Sequence, residues 1–146
     1  TRCSNNYGPY QNPEKLIPSF ISKLITKRPV TLYGNGKNIR EWIHVSDHVR
    51  AIACLYKLGI SGEVYNIAGN EEKTNLEITK MLLQEFNEDE SLIQYVNDRP
   101  GHDFRYALNG HKMSELGFKN ETEFKNGLKS TVEWYRNNLK WLDLAN

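Results

Sequence analysis

The apolar residues of this chain change period several times, and that alternation limits the fold more than any single motif. Over Glu14–Lys27, Ile17, Phe20, Ile21 and Leu24 fall at i, i+3, i+4 and i+7, the spacing of one helix face, with Pro18 tolerated in the first turn. Pro29 ends that helix. Val30–Tyr33 follows as a short strand, closed by a tight turn at Gly34-Asn35-Gly36. Ile39–Val45 reads as the next strand, with Ile39, Glu41, Ile43 and Val45 on one side and Arg40, Trp42 and His44 on the other. Ser46 is placed to cap a helix running to Leu58, with Asp47 in its first turn; Gly59 and Gly62 mark its end.

The pattern continues. Glu63–Ala68 reads as a buried strand, and Thr74 and Glu77 have the spacing of a capping box before the apolar face Ile78, Met81, Leu82 and Phe86. Ile93–Val96 is a strand, and Gly110–Leu116 a short helix stopped at Gly117. Asn120 and Glu123 repeat the capping-box spacing for a last helix, where Phe124, Leu128, Thr131, Val132 and Tyr135 recur at i, i+4, i+7, i+8 and i+11. Helices alternating with strands define an α/β chain, and 146 residues are one domain's worth, with no internal repeat or linker.

Several function classes fall away on composition. Lys and Arg exceed Asp and Glu by a single charge, which gives no electrostatic reason to expect nucleic acid or a membrane surface as partner. No apolar run approaches the ~20 residues of a membrane span, and Thr1-Arg2-Cys3-Ser4-Asn5-Asn6 is not a signal peptide. Cys3 and Cys54 lie far apart, so a disulfide framework is not expected and a cytoplasmic, reducing setting fits, with the sequon Asn120-Glu121-Thr122 incidental. Thr1–Asn5 reads as the end of a strand that begins upstream, so a fragment is expected.

Some letter patterns mislead. Tyr33-Gly34-Asn35-Gly36-Lys37 spells Y-x-x-x-K, but a Tyr–Lys catalytic pair needs both residues on one helix face, and two glycines with an Asn make a turn. Gly34-x-Gly36 lacks a third glycine and opens no helix. His44 and His48 straddle a strand end and a helix start with no third ligand nearby, so no metal is expected. No nucleophile arrangement of the Ser/His/Asp or Cys/His kind stands out.

The positive signal is a set of anion donors and flat side chains at loop and element ends. Asp98-Arg99-Pro100-Gly101-His102-Asp103 sets a guanidinium and an imidazole on a rigid turn directly after a strand, which suits phosphate oxygens. Asn5 and Asn6 carry amides that donate to phosphate or sugar hydroxyls. Lys15 sits near a helix N-terminus, Tyr33 offers a ring to stack under a base, Arg40 leads the Glu41-Trp42 strand, and Asn75 lies in the first turn of its helix. Each has a plainer reading: backbone caps for Asn5 and Asn75, an ion pair with Glu41 or Asp47 for Arg40, core packing for Tyr33 and Trp42. A sugar joined to a nucleoside through a pyrophosphate accounts for the assortment as a group.

Arg2-Cys3-Ser4-Asn5-Asn6-Tyr7-Gly8-Pro9-Tyr10-Gln11, Pro13-Glu14-Lys15-Leu16-Ile17-Pro18, Tyr33-Gly34-Asn35-Gly36, Arg40-Glu41-Trp42, Tyr65-Asn66-Ile67 and Asp98–Asp103 occur in this order. Together they resemble the C-terminal half of the dTDP-glucose 4,6-dehydratases, extended short-chain dehydrogenase/reductases, over essentially the whole chain. The resemblance implies a fold: the C-terminal substrate-binding part, residues 1–146, including strands Thr1–Asn5 and Glu63–Ala68 that belong to a Rossmann sheet whose other strands lie upstream. It also implies a reaction: oxidation at sugar C4 by NAD⁺, loss of water across C5–C6 and hydride return to C6, giving dTDP-4-dehydro-6-deoxy-glucose.

By motif position the resemblance assigns substrate contacts to Asn5, Lys15, Leu16, Ile17, Pro18, Thr31, Leu32, Tyr33, Arg40, Asn75, Asp98, Arg99 and His102, and places Asn6 beside the NAD. Lys15 to Phe20 would line the nucleotide pocket, Thr31, Leu32 and Tyr33 would flank the thymine, and Arg40, Asn75, Arg99 and His102 would hold the diphosphate and nucleoside. The NAD loop, the Thr-Asp-Glu acid/base residues and the Tyr-x-x-x-Lys pair of the family belong upstream, so this chain is expected to hold no catalytic residue. Its implied partners are dTDP-glucose or dTDP, the N-terminal half, and a second copy in the intact homodimer. Glu41 departs from the Asp common in the family. The alternatives are another nucleotide-sugar epimerase, dehydratase or decarboxylase of the superfamily, or a free-standing nucleotide-binding module.

Overall fold

A computed structural model describes residues 1–143. Among the described residues eight strands and six α-helices alternate: β1 (Arg2–Cys3), β2 (Asn5–Tyr7), α1 (Leu16–Ile25), β3 (Val30–Tyr33), β4 (Ile39–His44), α2 (Val45–Leu58), β5 (Asn66–Ile67), β6 (Glu71–Thr74), α3 (Asn75–Glu85), β7 (Ile93–Val96), β8 (Arg105–Tyr106), α4 (His111–Glu115), α5 (Phe124–Asn137) and α6 (Leu139–Asp143). The expected α/β class is what the chain forms.

The strands make three small sheets. β2, β4 and β6 lie in that order, with β8 also pairing β4; β2 and β8 run parallel to β4 and β6 antiparallel. β3 pairs β7 in parallel, Thr31 opposite Gln94 and Tyr33 opposite Val96. β1 pairs β5 in parallel, Arg2 opposite Asn66 and Cys3 opposite Ile67.

Most of the apolar core lies between the first sheet and helices α1, α3 and α5, around Tyr7, Ile21, Ile78, Leu82, Phe124 and Tyr135. Tyr135 ties α5 to the loop after β2 by donating to the Gln11 carbonyl at 3.1 Å; burial pushes its phenol up to about 12. A smaller cluster of Ile43, Ala51, Tyr65, Ile67 and Met113 joins β4, β5, α2 and α4.

Helix ends show where local sequence and tertiary contacts share the work. α1 closes in a Schellman motif: Lys27 N–H donates to Leu24 and Arg28 N–H to the Lys23 carbonyl at 2.8 Å, with Lys27 at φ 53. The helix therefore stops before Pro29. α3 opens with the expected capping box, Thr74 Oγ1 accepting from Glu77 N–H and Glu77 from Thr74 N–H.

Three local expectations change. His44, not Ser46, caps α2: its Nδ1 accepts from Ser46 N–H because the strand runs straight into the helix. Asn120 does not cap α5; its amide donates to the Ala68 and Gly69 carbonyls, 3.0 and 2.9 Å away, and tertiary pairing takes the side chain from the local cap. Only Asn66–Ile67 of the Glu63–Ala68 run forms a ladder, because β1 is two residues long.

The stretch after β5 crosses β4 closely. A Cβ on Gly69 would lie 1.7 Å from the Trp42 carbonyl oxygen, so no other residue fits there. Beneath the crossing, the buried Glu41 carboxylate accepts from Ser4 Oγ at 2.5 Å, Asn70 N–H at 3.0 Å and Leu108 N–H at 3.1 Å. One side chain thus fastens three segments behind β4, whose other face carries Arg40 and Trp42.

Candidate functional site

A cavity of about 690 Å³ opens between α1, β3, β4 and the turn after β7. Strand alternation builds its walls. Thr31 and Tyr33 stand on one face of β3 while Leu32 between them is buried. Arg40 and Trp42 stand on the face of β4 opposite Glu41 and Ile43. Asn5, paired with Trp42 across the β2–β4 ladder, adds an amide to the same wall. Lys15 sits at the start of α1, and Asn75 at the start of α3. Gly36, at φ 69, lets the turn after β3 fold onto Leu32 and Leu76, where a Cβ would come within 2.6 Å of the Leu32 side chain.

The cavity brings together Asn5, Asn6, Lys15, Leu16, Thr31, Leu32, Tyr33, Arg40, Asn75, Arg99 and His102. Ile17 and Pro18 point into the core from α1 instead. Asp98 lies at the rim, where its Oδ1 meets His102 Nδ1 at 2.6 Å. That bond holds the Asp98 carboxyl below the ordinary carboxylate range. An ionised Asp98 accepts, so His102 carries its proton on Nδ1 and keeps Nε2 free.

Ser19 and Phe20, within the Lys15–Phe20 run expected to line the pocket, are on its walls, and Gln11, Glu14, Lys23 and Trp42 line it without having been expected at the site. Lys23 was detectable in principle. It stands eight residues after Lys15, so both fall near one side of α1, but nothing local separates it from an ordinary surface lysine.

Electrostatics separate this cavity from the rest of the surface. Among the described residues, its walls hold the cations Lys15, Lys23, Arg40 and Arg99 and one carboxylate, Glu14, although the chain's formal net charge is only +1. Arg40 is almost buried. Its guanidinium donates to the Ile39 and Asp103 carbonyls at 2.7 and 2.9 Å and lies 4.4 Å from the Tyr106 ring centre. No carboxylate neutralises it among the described residues, so its positive charge stays available to an anion in the cavity. Arg99 is exposed and its side chain makes no hydrogen bond among the described residues.

Asn6 has a narrower role. Its amide donates to the Ser4 carbonyl at 3.1 Å, and its Oδ1 faces His48 Nδ1 at 2.8 Å. His48 is thereby the donor, and burial holds it below the usual histidine range, as a neutral ring. The two histidines of the H-x-x-x-H pattern are engaged separately, His44 with Ser46 and His48 with Asn6.

Residues 1–131 match the family model described as GDP-mannose 4,6 dehydratase. A dTDP-glucose 4,6-dehydratase of Streptomyces niveus is 51% identical over 142 residues, covering 97% of this chain and 42% of the relative. One from Escherichia coli is 44% identical over 153 residues, covering 97% and 42%. The crystal structure of the dTDP-glucose 4,6-dehydratase DesIV from Streptomyces venezuelae, with NAD bound, superposes with a TM-score of 0.96 at 48% identity, over 99% of this chain and 45% of that one. A UDP-glucose 4-epimerase of Thermotoga maritima with UDP-glucose gives 0.88 at 30% identity, over 94% and 45%. The chain spans under half the length of the curated relatives it matches.

Proposed function

The chain belongs to the family described as GDP-mannose 4,6 dehydratase, and from that premise we propose that it is the nucleotide-sugar-binding portion of an NAD-dependent dTDP-glucose 4,6-dehydratase. The observation that carries the proposal is the single cavity shared by Arg40, Arg99 and His102, with Tyr33 and Asn5 on its walls. A pyrophosphate needs charged donors from several directions, and these come from β4 and from the turn after β7. Tyr33 offers a half-exposed ring for a base, and Asn5 an amide for sugar hydroxyls. Asp98 acts through His102, fixing which nitrogen faces the ligand.

NAD supplies the hydride acceptor and donor of such a dehydratase. This chain's residue that fits beside it is Asn6, an amide at the cavity wall held by His48 and Ser4. The catalytic acid, base and Tyr–Lys pair reside on the N-terminal portion, so the chain alone is inactive and binds nucleotide only weakly, in the millimolar range. It works in the cytoplasm; among the described residues no helix is long and apolar enough to cross a membrane.

Two surface features support docking of that N-terminal portion. β1 pairs only with β5 among the described residues, a two-stranded parallel sheet of the kind normally covered on both faces. Beside it, α2 turns Val49, Ile52 and Tyr56 outward, 61%, 43% and 93% exposed, at helical spacing. The intact enzyme is then a homodimer assembled from longer chains.

Joining residues 1–146 to the N-terminal portion of the Streptomyces niveus relative tests the reading. The chimera, given NAD⁺, should form the 4-keto, 6-deoxy product from dTDP-glucose and not from UDP-glucose or GDP-mannose. Arg99→Ala should raise the KM by about tenfold to a hundredfold, the loss of one charged phosphate contact. A folded, NAD-binding chimera that turns over none of these sugars overturns the reading; equal turnover of UDP-glucose favours an epimerase-like relative.

A further inference from the structure

Lys23 occupies a place in the cavity that the phosphate-binding groups do not explain. Its Nζ donates to Thr31 Oγ1 at 3.0 Å, and among the described residues it forms no ion pair. Burial, with Arg28 as a second cause, holds it below the ordinary lysine range. It is an ammonium partly withdrawn from water with no carboxylate to compensate.

The register of β3 and β7 fixes where this pair stands. The strands are parallel, Tyr33 lies opposite Val96, and the chain runs on from Val96 to Asp98 and Arg99. A Cβ on Gly34 would lie 3.3 Å from the Asp98 side chain, so the Arg99–His102 turn begins beyond the Tyr33 end of β3. Thr31 lies two residues the other way, about 7 Å back along the strand on the same face as Tyr33. The order along the cavity is therefore Arg99 and His102, then the Tyr33 ring, then Thr31 and Lys23.

A ligand with its anion on Arg99 and a flat ring on Tyr33 presents the far edge of that ring to Lys23 and Thr31. The ammonium can only donate. The Thr31 hydroxyl accepts from Lys23, so its own proton is free to donate as well. The ammonium has no lone pair, so it matches a carbonyl oxygen and offers an exocyclic amine nothing, and the Thr31 hydroxyl adds a donor at the same edge.

We infer that Lys23, set by Thr31, is a base-specificity residue that donates to the C4 oxygen of the pyrimidine and so selects a 2,4-dione base over one with an amine at C4. The inference rests on the nucleoside diphosphate reading given under Proposed function and adds to it a residue and a selection rule.

The test uses the 146-residue chain, isotopically labelled and titrated to millimolar concentrations with dTDP, UDP, CDP and inorganic pyrophosphate, with amide shifts of cavity residues as the readout. Lys23→Met removes the ammonium and keeps the stem; Lys23→Gln keeps a neutral donor and serves should the Met variant not fold. In the unmodified chain dTDP and UDP should outbind CDP. Lys23→Met should weaken dTDP and UDP by about tenfold, leave pyrophosphate unchanged and erase the preference over CDP, with Lys23→Gln intermediate. An equal loss for pyrophosphate puts Lys23 on the phosphates and overturns the inference, as does binding of dTDP that neither variant changes. If none of the four ligands shifts the unmodified chain, the cavity reading itself fails and the inference falls with it.

Discussion

The two apolar clusters of this chain are unequal. The one around Tyr7, Phe124 and Tyr135 is enclosed by a four-stranded sheet and helices α1, α3 and α5. The one around Ile43, Ile67 and Met113 sits under a two-stranded sheet and α2, whose outer side carries Val49, Ile52 and Tyr56 into solvent. A helix of a self-sufficient domain puts its apolar stripe inward; α2 has apolar residues on both sides. The difference teaches that the substrate side completes its own core, whereas the β1–α2 side is shaped for further polypeptide, which the proposed N-terminal portion supplies. Most of the cavity wall, from α1, β3, β4 and α3, lies on the complete side.

The sharpest way to break this comparison is to remove packing from the larger cluster. Phe124→Ala, in the large cluster, should cost about 3–5 kcal/mol in chemical denaturation, transfer and cavity terms together. A cost under about 1 kcal/mol would mean the larger cluster is not the one that holds the chain together.

Asp47 joins the two regions. From α2 it accepts from the Glu121 and Thr122 amides at 3.2 and 2.9 Å and pairs with Arg50 at 2.5 Å. Burial alone would push its carboxyl up; the Thr122 and Glu121 amides, then Arg50, outweigh it and hold the carboxyl below its usual range. Asp47 is itself buried, and Asp47→Ala leaves the part-buried Glu121 and Thr122 amides without their acceptor, which should cost about 1–3 kcal/mol.

The same group sets a pH dependence, and His44 sets another. Burial holds His44 below the usual histidine range, although Asp47 acts the other way. Both groups have depressed values in the folded chain, so each contributes stability above its unfolded pKa and loses it as pH falls through the folded one. Melting followed against pH should show a first decline below about pH 6.5 from His44 and His48 and a second below about pH 4 to which Asp47 contributes with Asp98 and other paired carboxylates. Asp47→Ala should reduce the second without abolishing it. A chain whose stability rises on acidification through this range contradicts the assignment of both groups.

The smallest effect should come from the outer face of α2. Val49→Ser with Tyr56→Ser should change stability by no more than about 0.5 kcal/mol, while reducing self-association in sedimentation. A large loss of stability would show that α2 is already covered in the isolated chain.

Much of the architecture was readable in the residues because it is locally determined. The 3.6-residue period, the Thr74–Glu77 box and the Val30–Tyr33 and Ile93–Val96 runs fix α1, α3, β3 and β7 through neighbours a few positions away. β6 and β8 were not readable. Glu71–Thr74 and Arg105–Tyr106 have no strand-like apolar alternation and are extended only because β4 offers its ladder. Asn120 shows the same limit at a cap: its spacing matched a capping box, yet carbonyls some fifty residues distant hold its amide.

Sequence by itself determined the α/β alternation and supplied the chemistry of the cavity: guanidinium, imidazole, amide and aromatic groups at element ends. Only the tertiary structure decided which of them face one another. It set Arg40 and Arg99 on one cavity, turned Ile17 and Pro18 inward, and made Asp98 the partner of His102. It also placed Lys23 beside Thr31. Periodicity and capping act over a few residues and can be read along the chain. Strand order and register act across dozens of residues, and they alone bring β3, β4 and the turn after β7 around one space.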